Sequence, residues 1–291
     1  MLSQFLQFLL AGLTVGATYA LAALGYTLVY SASGMINFAQ GEFIMLGAMT
    51  ASALVAAGVP LLPALAIAII FTTLVGVIMV KCAVEPARTT SMTSLIIITL
   101  GAGQVIRGVV QIALGKGNHA LPALSDDRPL HIFGAALVPQ AIWIMGLALV
   151  IVVALFWYFN ATMHGKALVA TSHNRLAAQL VGVNTMGILT FSFALSAALG
   201  AIGGVLLAPI TFTSYDAGTM LGLKGFVAAA LGGLGSAPGA VVGGLALGII
   251  EAMTAAYVSS AYKDAVAFVL IILLFLVAPH GLFGAKTSDR V

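Results

Sequence analysis

Six stretches of the chain, 1–41, 43–80, 129–165, 176–215, 225–250 and 265–285, contain no Asp, Glu, Lys or Arg. A helix crosses the hydrocarbon core of a bilayer in about 20 apolar residues, and every one of these stretches is that long. Over its 291 residues the chain has 11 basic and 8 acidic side chains, 7% of the total, to solvate a body that is 62% hydrophobic. Soluble domains carry roughly 25% charged residues, so a soluble globular fold is excluded. Intrinsic disorder and nucleic-acid binding both need charge that is missing here, and a disulfide scaffold cannot be built from the single cysteine, Cys82. The apolar residues run continuously, without the period-2 alternation of barrel strands. The chain therefore reads as all-α, a polytopic transmembrane helix bundle.

Apolar runs bounded by charge, Pro and Gly predict helices near 5–30, 38–57, 61–84, 91–114, 139–159, 186–212, 223–234, 239–257 and 265–279, or eight to nine membrane segments. The segment 223–234 is short and runs into the breaker Gly235-Ser236-Ala237-Pro238-Gly239, which suggests a half-helix of the kind that lines transporter cavities. The polar connections 115–138, 160–185 and 280–291 are too small to fold separately, so residues 1–291 form one transmembrane domain. Met1-Leu2-Ser3-Gln4 lacks the basic start of a signal peptide, and the first helix is expected to be retained. Small residues four apart mark close helix packing in lipid. Gly12/Gly16, Gly200/Gly204, Gly235/Gly239/Gly243 and Gly244/Gly248 have that spacing, and Gly235, Pro238, Gly239 and Gly243 are the expected packing or hinge positions.

The chain lacks the sequences that usually anchor catalysis. Gly115-Lys116 and Gly165-Lys166 are followed by Gly and Ala rather than Ser or Thr, so no phosphate-binding loop is present. The Gly232-Gly233-Leu234-Gly235 run follows no strand, and no G-x-S-x-G, H-E-x-x-H or C-x-x-C occurs. An enzyme is not expected, nor a metal site. Ionisable groups inside apolar segments are the functional candidates, because an unpaired charge at mid-bilayer costs at least about 2.5–3.5 kcal/mol. Glu42, Arg107 and Glu251 qualify, and Asn37 and Gln40 join Glu42 in one polar interruption of the otherwise apolar stretch 30–57. That cluster reads either as a cavity wall or as the cytoplasmic start of the helix. Arg107 and Glu251 read as an ion pair or as pathway groups.

Segment 160–185 is different in character. Thr171, Ser172 or Asn174 could cap a short helix over 175–181, and Gly182 stands where a helix end takes a left-handed residue. Leu176, Ala177, Leu180 and Val181 form a narrow apolar stripe beside Asn174, Arg175 and Gln179. Such a helix docks either on lipid headgroups or on a protein partner, and one Arg with a small apolar face favours protein.

Here the sequence resembles a known family. Gly165-Lys-Ala-x-x-Ala170-Thr171-Ser-x-Asn174-Arg175-x-x-Ala178-x-x-x-Gly182-Val183 is similar to the cytoplasmic coupling motif of bacterial ABC-importer permeases of the branched-chain amino acid type. Tyr19 to Tyr30, Gly34 to Phe43 with Met45-Leu-Gly47, and Gly232 to Ala240 with Gly243-Gly244 resemble its LivH-like members. Departures are Val169 where a basic residue is expected, Gln40 where histidine is common, and Asn174 where aspartate is frequent. The resemblance implies a multi-pass permease of the bacterial inner membrane. It would pair with a second homologous permease, two ATP-binding cassette subunits and an extracytoplasmic binding protein. The permease would hold no cofactor itself, ATP being bound by its partners, and would contact lipid but no nucleic acid. Gly165, Ala170, Thr171, Asn174, Arg175, Ala178 and Gly182 would then couple to the ATPases, with 160–185 cytoplasmic, the N-terminus outside and the C-terminus inside. Lys81, Arg88, Lys166, Arg175, Lys286 and Arg290 would lie inside, against Lys116, Arg128, Lys224 and Lys263 outside, a weak positive-inside bias. Permeases for urea or short amides look alike, and an ion-coupled secondary carrier using Glu42, Arg107 or Glu251 is the alternative of a different class.

Overall fold

The computed structural model describes residues 2–87, 90–125, 128–132, 134–278 and 281–284. Arg88, Lys286 and Arg290 of the charge comparison lie outside these. The helices are α1 (Leu2–Ser33), α2 (Gln40–Ala56), α3 (Leu61–Met79, continued as a π turn to Val84), α4 (Met92–Leu114), α5 (Pro139–Ala161), α6 (Met163–His173), α7 (Arg175–Leu180), α8 (Thr185–Thr211), α9 (Ala217–Gly232), α10 (Ala237–Tyr257) and α11 (Lys263–Val277). A small antiparallel hairpin, β1 (Leu130–Ile132) and β2 (Ala135–Leu137), lies between α4 and α5. Seven helical segments among the described residues, counting α3 on to Val84 and α11 from Ser260, are long and apolar enough to span a membrane, and α2 and α9 are shorter apolar helices. Each of the nine predicted segments corresponds to a helix, and Pro279 at the end of the last lies outside the described residues.

The ends of the bundle follow from contacts between loops. Gln7 exchanges hydrogen bonds with the Ala136 backbone, His119 pairs with Thr213, and Ser52 donates to the Ala120 carbonyl. These bonds gather the N-terminus, the 115–138 connection and the 212–216 turn at one end. At the other, a cavity is bounded by Ser31, Thr171, Arg175, Ser236 and Phe283. The N-terminus and residues 281–284 are therefore at opposite ends, as the topology expectation requires.

Burial separates the helices into a centre and a periphery. α1 and α8 are each 67% buried over their most apolar window, whereas α3, α4, α5 and α11 present Leu74, Ile78, Val109, Ile112, Val150, Trp157 and Leu276 outward. Such side chains suit contact with acyl chains, which are as apolar as Leu. At the centre, association depends on backbone approach. A Cβ on Gly12 would stand 2.8 Å from the Ile249 Cα, and one on Gly16 3.0 Å from the Leu245 Cα, while Gly244 and Gly248 abut Ala20 and Gly16. α1 and α10 thus meet along their glycines. Gly239 and Gly243 face Gly232 and Ala228 of α9, and Pro238 lies in the first turn of α10, where Ser236 caps the Gly239 N–H. Gly235 packs differently: with φ +93° it forms the turn between α9 and α10, with no helix backbone against it.

Three local expectations are corrected. The segment 223–234 begins earlier, at Ala217, because the turn at Ser214–Asp216 is the real break. Segment 160–185 holds two helices, since Thr162 caps α6 through the Gly165 N–H. Of the three proposed caps for the following helix, Asn174 is the one used, accepting from the Ala177 N–H, while Thr171 Oγ1 donates back to the Ala167 carbonyl inside α6.

Candidate functional site

Among the described residues, three polar assemblies lie along the bundle: one at the 160–185 end, one around the start of α2, and one lining the cavity that opens at the other end. At the 160–185 end, α6 and α7 hang between α5 and α8. Gly165 permits this: a Cβ there would stand 2.5 Å from the Phe159 Cα, so α6 folds back tightly on α5. Ala170 lies on the exposed side of α6. α7 ends in a Schellman arrangement, with the Val183 N–H donating to the Ala178 carbonyl and the Gly182 N–H to the Gln179 carbonyl, Gly182 having φ +88°. Gln179 reaches Thr185 at the start of α8, which Asn184 caps. Only Ala178 of α7 is buried, and Leu176, Leu180 and Val181 are 74%, 88% and 79% exposed. Leu176 and Leu180 of this short helix, with Val181 at its C-terminal cap, project beyond the end of the bundle beside Arg175.

Between the ends, residues 34–39 are unwound yet largely buried. Non-helical backbone at this depth is tolerated only inside protein or along a cavity. The Phe38 N–H donates to Thr99 Oγ1 and the Ala39 N–H to Asn37 Oδ1, whereas Asn37 Nδ2 has no partner. α2 follows at once. Gln40 is fully buried between Gly25 of α1 and Gly200 of α8, donating to the Ser196 carbonyl and accepting from Ser196 Oγ. Glu42, in the first turn of α2 and 5% exposed, takes a 2.8 Å ion pair from Arg107 of α4, while its second oxygen is unpaired. Glu42 thus stands at the start of a helix that begins inside the protein, and it lines neither the outer cavity nor the one at the α6–α7 end. Gly41 lies against Gly218 and Gly222 of α9, and Tyr26 donates to the Gly222 carbonyl at 3.0 Å.

The expected pairing of Arg107 with Glu251 is wrong. Arg107 faces α2, and Glu251 pairs with Lys224 of α9 at 2.6 Å. Lys224 also reaches Asp264 of α11 at 2.5 Å and lies over the Tyr19 ring, whose hydroxyl donates to Glu251 at 2.9 Å. Four helices meet at one ammonium. Sequence reading missed Lys224 as a membrane-buried group because it stood at the assumed start of its segment; with α9 opening at Ala217, it is a full two turns inside. Tyr19, Lys224 and Glu251 of this network line a cavity of about 290 Å³ that opens toward the end holding Asn118 and Thr213.

The family profile described as branched-chain amino acid transport system / permease component matches residues 8–275. The high-affinity branched-chain amino acid transport permease LivH of Salmonella typhimurium is 36% identical over 99% of this chain and 98% of its own length. BraD of Pseudomonas aeruginosa, a permease protein of the same transport type, is also 36% identical, with the same coverage. A chain of PsaBC from Streptococcus pneumoniae, solved in complex with Fab, matches the fold with a TM-score of 0.54, 14% identity and coverage of 96% of this chain and 97% of the other.

Proposed function

The chain belongs to the permease family of branched-chain amino acid transport systems, and from that premise we propose that it forms part of the membrane path of an ATP-driven importer for aliphatic amino acids. As a multi-pass transport permease it is not an enzyme. Its partners in this reading are a second permease, two ATP-binding cassette subunits and an extracytoplasmic binding protein that delivers substrate.

The observation that carries the proposal is the pair α6–α7. An isolated helix of six residues is unstable in water, and one exposing Leu176, Leu180 and Val181 needs a covering surface. The groove of an ATPase subunit supplies that surface in this reading, with Arg175 offering charge at its rim. Gly165, Ala170, Thr171, Asn174 and Ala178 shape the hinge and cap that hold the pair in place. Movement of α7 passes to α8 through Gln179 and Thr185. α8 in turn holds α2 at Gln40 and forms part of the outer cavity wall.

The path runs from the outer cavity to the cavity at the α6–α7 end, closed between them where Gly41 meets Gly218 and Gly222. Asn37, Gln40, Glu42 and Arg107 flank that closure, and the unpaired Asn37 Nδ2 and Glu42 oxygen are groups that a hydrated, opened path would satisfy. Gly239 and Gly243 let α10 ride closely on α9 as the closure opens, with Gly235 and Pro238 at the turn.

Liposomes holding the complete complex test this reading. Uptake of L-leucine delivered by the binding protein should require ATP on the α7 side and persist with an uncoupler. Uptake that collapses with the proton gradient and ignores ATP would favour a secondary carrier, and uptake of urea but not leucine would reassign the substrate.

A further inference from the structure

The outer cavity is bounded by charges that the coupling mechanism does not use. Lys224 and Glu251, 6% and 8% exposed, form its inner wall, and Lys263 stands on its rim. Ile44, Met45, Leu207 and Leu221 contribute aliphatic surface to the same space. At about 10 Å from the outer ends of α9 and α10, counting residues at about 1.5 Å each, the pair is well inside the apolar bundle. Ionisable groups at this depth are rare, are paired, and mark substrate or ion pathways in membrane proteins.

We propose that this cavity is a transit site that recognises substrate as a zwitterion, its carboxylate toward Lys224 and Lys263 and its ammonium toward Glu251, an inference that rests on the amino acid permease reading. Lys224 has three N–H donors and gives two of them to Glu251 and Asp264, leaving one for a ligand oxygen. Each Glu251 oxygen accepts one hydrogen bond, from Lys224 or Tyr19, and has capacity for a second. The positive and negative groups stand 2.6 Å apart, side by side, as the two charges of an α-amino acid do. Lys224, Glu251, Asp264 and Lys263 together sum to zero. A neutral dipolar ligand enters without leaving net charge in a low-dielectric space, whereas an anion or a cation does not. A cavity of about 290 Å³ is at the small end of the range of about 300–1,000 Å³ usual for small-molecule sites, which suits a small aliphatic amino acid. A transit site must also release its cargo, so the affinity is weak.

The test uses the whole complex in nanodiscs, without the binding protein, carrying Leu221→Cys in a Cys82→Ala background. Alkylation by N-ethylmaleimide is followed on this chain by mass spectrometry, with Ala217→Cys as a second reporter at the cavity wall. L-leucine at about twice its Kd should slow alkylation about threefold, by simple occupancy. Leucinamide, which lacks the carboxylate, and 4-methylpentanoate, which lacks the ammonium, should protect little at the same concentration. Glu251→Gln should abolish the preference for leucine over 4-methylpentanoate. Equal protection by all three compounds at both reporters overturns the proposal. Leucine uptake by the native complex together with no protection overturns the site alone, while absence of ATP-driven leucine uptake overturns the permease reading and the site with it.

Discussion

Gly182 allows a perturbation whose size is set by backbone conformation alone. Its φ of +88° places it in the left-handed region, and a Cβ added there meets no atom within 4 Å. A substitution therefore introduces no clash, only the cost of holding an L-residue left-handed, about 1–2 kcal/mol and higher for a β-branched side chain. What holds α7 is of the same order. The Asn174 cap contributes about 1 kcal/mol, the Gln179–Thr185 bond about 1 kcal/mol, and Ala178 is its one buried side chain. A shift of 1.4 kcal/mol changes a population about tenfold. Gly182→Val should thus lower ATP-driven leucine uptake about tenfold, with membrane insertion and pairing with the second permease unchanged. ATPase activity should no longer rise when loaded binding protein is added. Gly182→Asn, which tolerates φ > 0, should stay within about twofold of wild type, with Gly182→Ala between them. Uptake is measured in proteoliposomes at matched complex density. Normal uptake by Gly182→Val, or a loss in Gly182→Asn as deep as in Gly182→Val, would refute the reasoning.

Arg175→Glu should leave the complex assembled but uncouple uptake from ATP hydrolysis, since it reverses the charge that α7 itself carries; uptake and ATPase assays on the same preparation check it. In a Cys82→Ala background, Lys116→Cys should react with an impermeant thiol reagent from outside intact cells and Ser172→Cys only after the cytoplasm is opened, because the two positions are exposed at opposite ends. Arg107→Met strands the buried Glu42 carboxylate and should destabilise the protein by about 3–5 kcal/mol, while the double variant with Glu42→Gln regains most of that; thermal unfolding in detergent measures both.

Much of the bundle was legible because a membrane span is specified by length and apolarity, and the charge-free runs state both. The glycine spacing was also legible, since Gly12, Gly16, Gly244 and Gly248 lie four apart on the faces where α1 and α10 meet. The partners of the charges were not. Nothing in the spacing of Glu42, Arg107, Lys224 and Glu251 says which helices are neighbours, and the pairs form across 65 residues and 27. Assigning Arg107 to Glu251 assumed that two lone charges must find each other, when each had a nearer partner hidden in a polar cluster or at a segment edge. The hairpin at 130–137 escaped because six residues of strand leave almost no periodicity. α6 escaped because its stretch is polar, and because the cap positions weighed within 160–185 are Thr171, Ser172 and Asn174 rather than Thr162.

α8 connects the coupling end to the outer cavity and is the helix that α7 touches directly. α8 has 27 residues, about 40 Å at about 1.5 Å per residue, starting beside α7 and ending in the outer cavity wall at Leu207 and Thr211. Along the way it packs on α2 through small residues: a Cβ on Gly47 would lie 2.5 Å from the Ala201 Cα, and Gly204 faces the Ile44 backbone. α1, in contrast, is clamped to α10 through glycines and to the outer network through Tyr19. If the ATP-driven step moves α8 with α2 against α1 with α10, a tie between α8 and α1 must stop it. Gly203 and Leu21 allow such a tie, since a Cβ on Gly203 stands 3.8 Å from the Leu21 Cβ, within the range of about 3.5–4.5 Å that a disulfide requires. The variant Leu21→Cys/Gly203→Cys in a Cys82→Ala background gives up a fully buried leucine, at about 2–5 kcal/mol as for a Leu→Ala truncation, so the reduced protein is its own control. Oxidation should abolish leucine uptake and reduction should restore it, with cross-linking quantified on the same sample by gel shift. Full uptake by a quantitatively cross-linked complex would mean that α8 and α1 move as one body, and the force from α7 would have to reach the cavity without passing along α8.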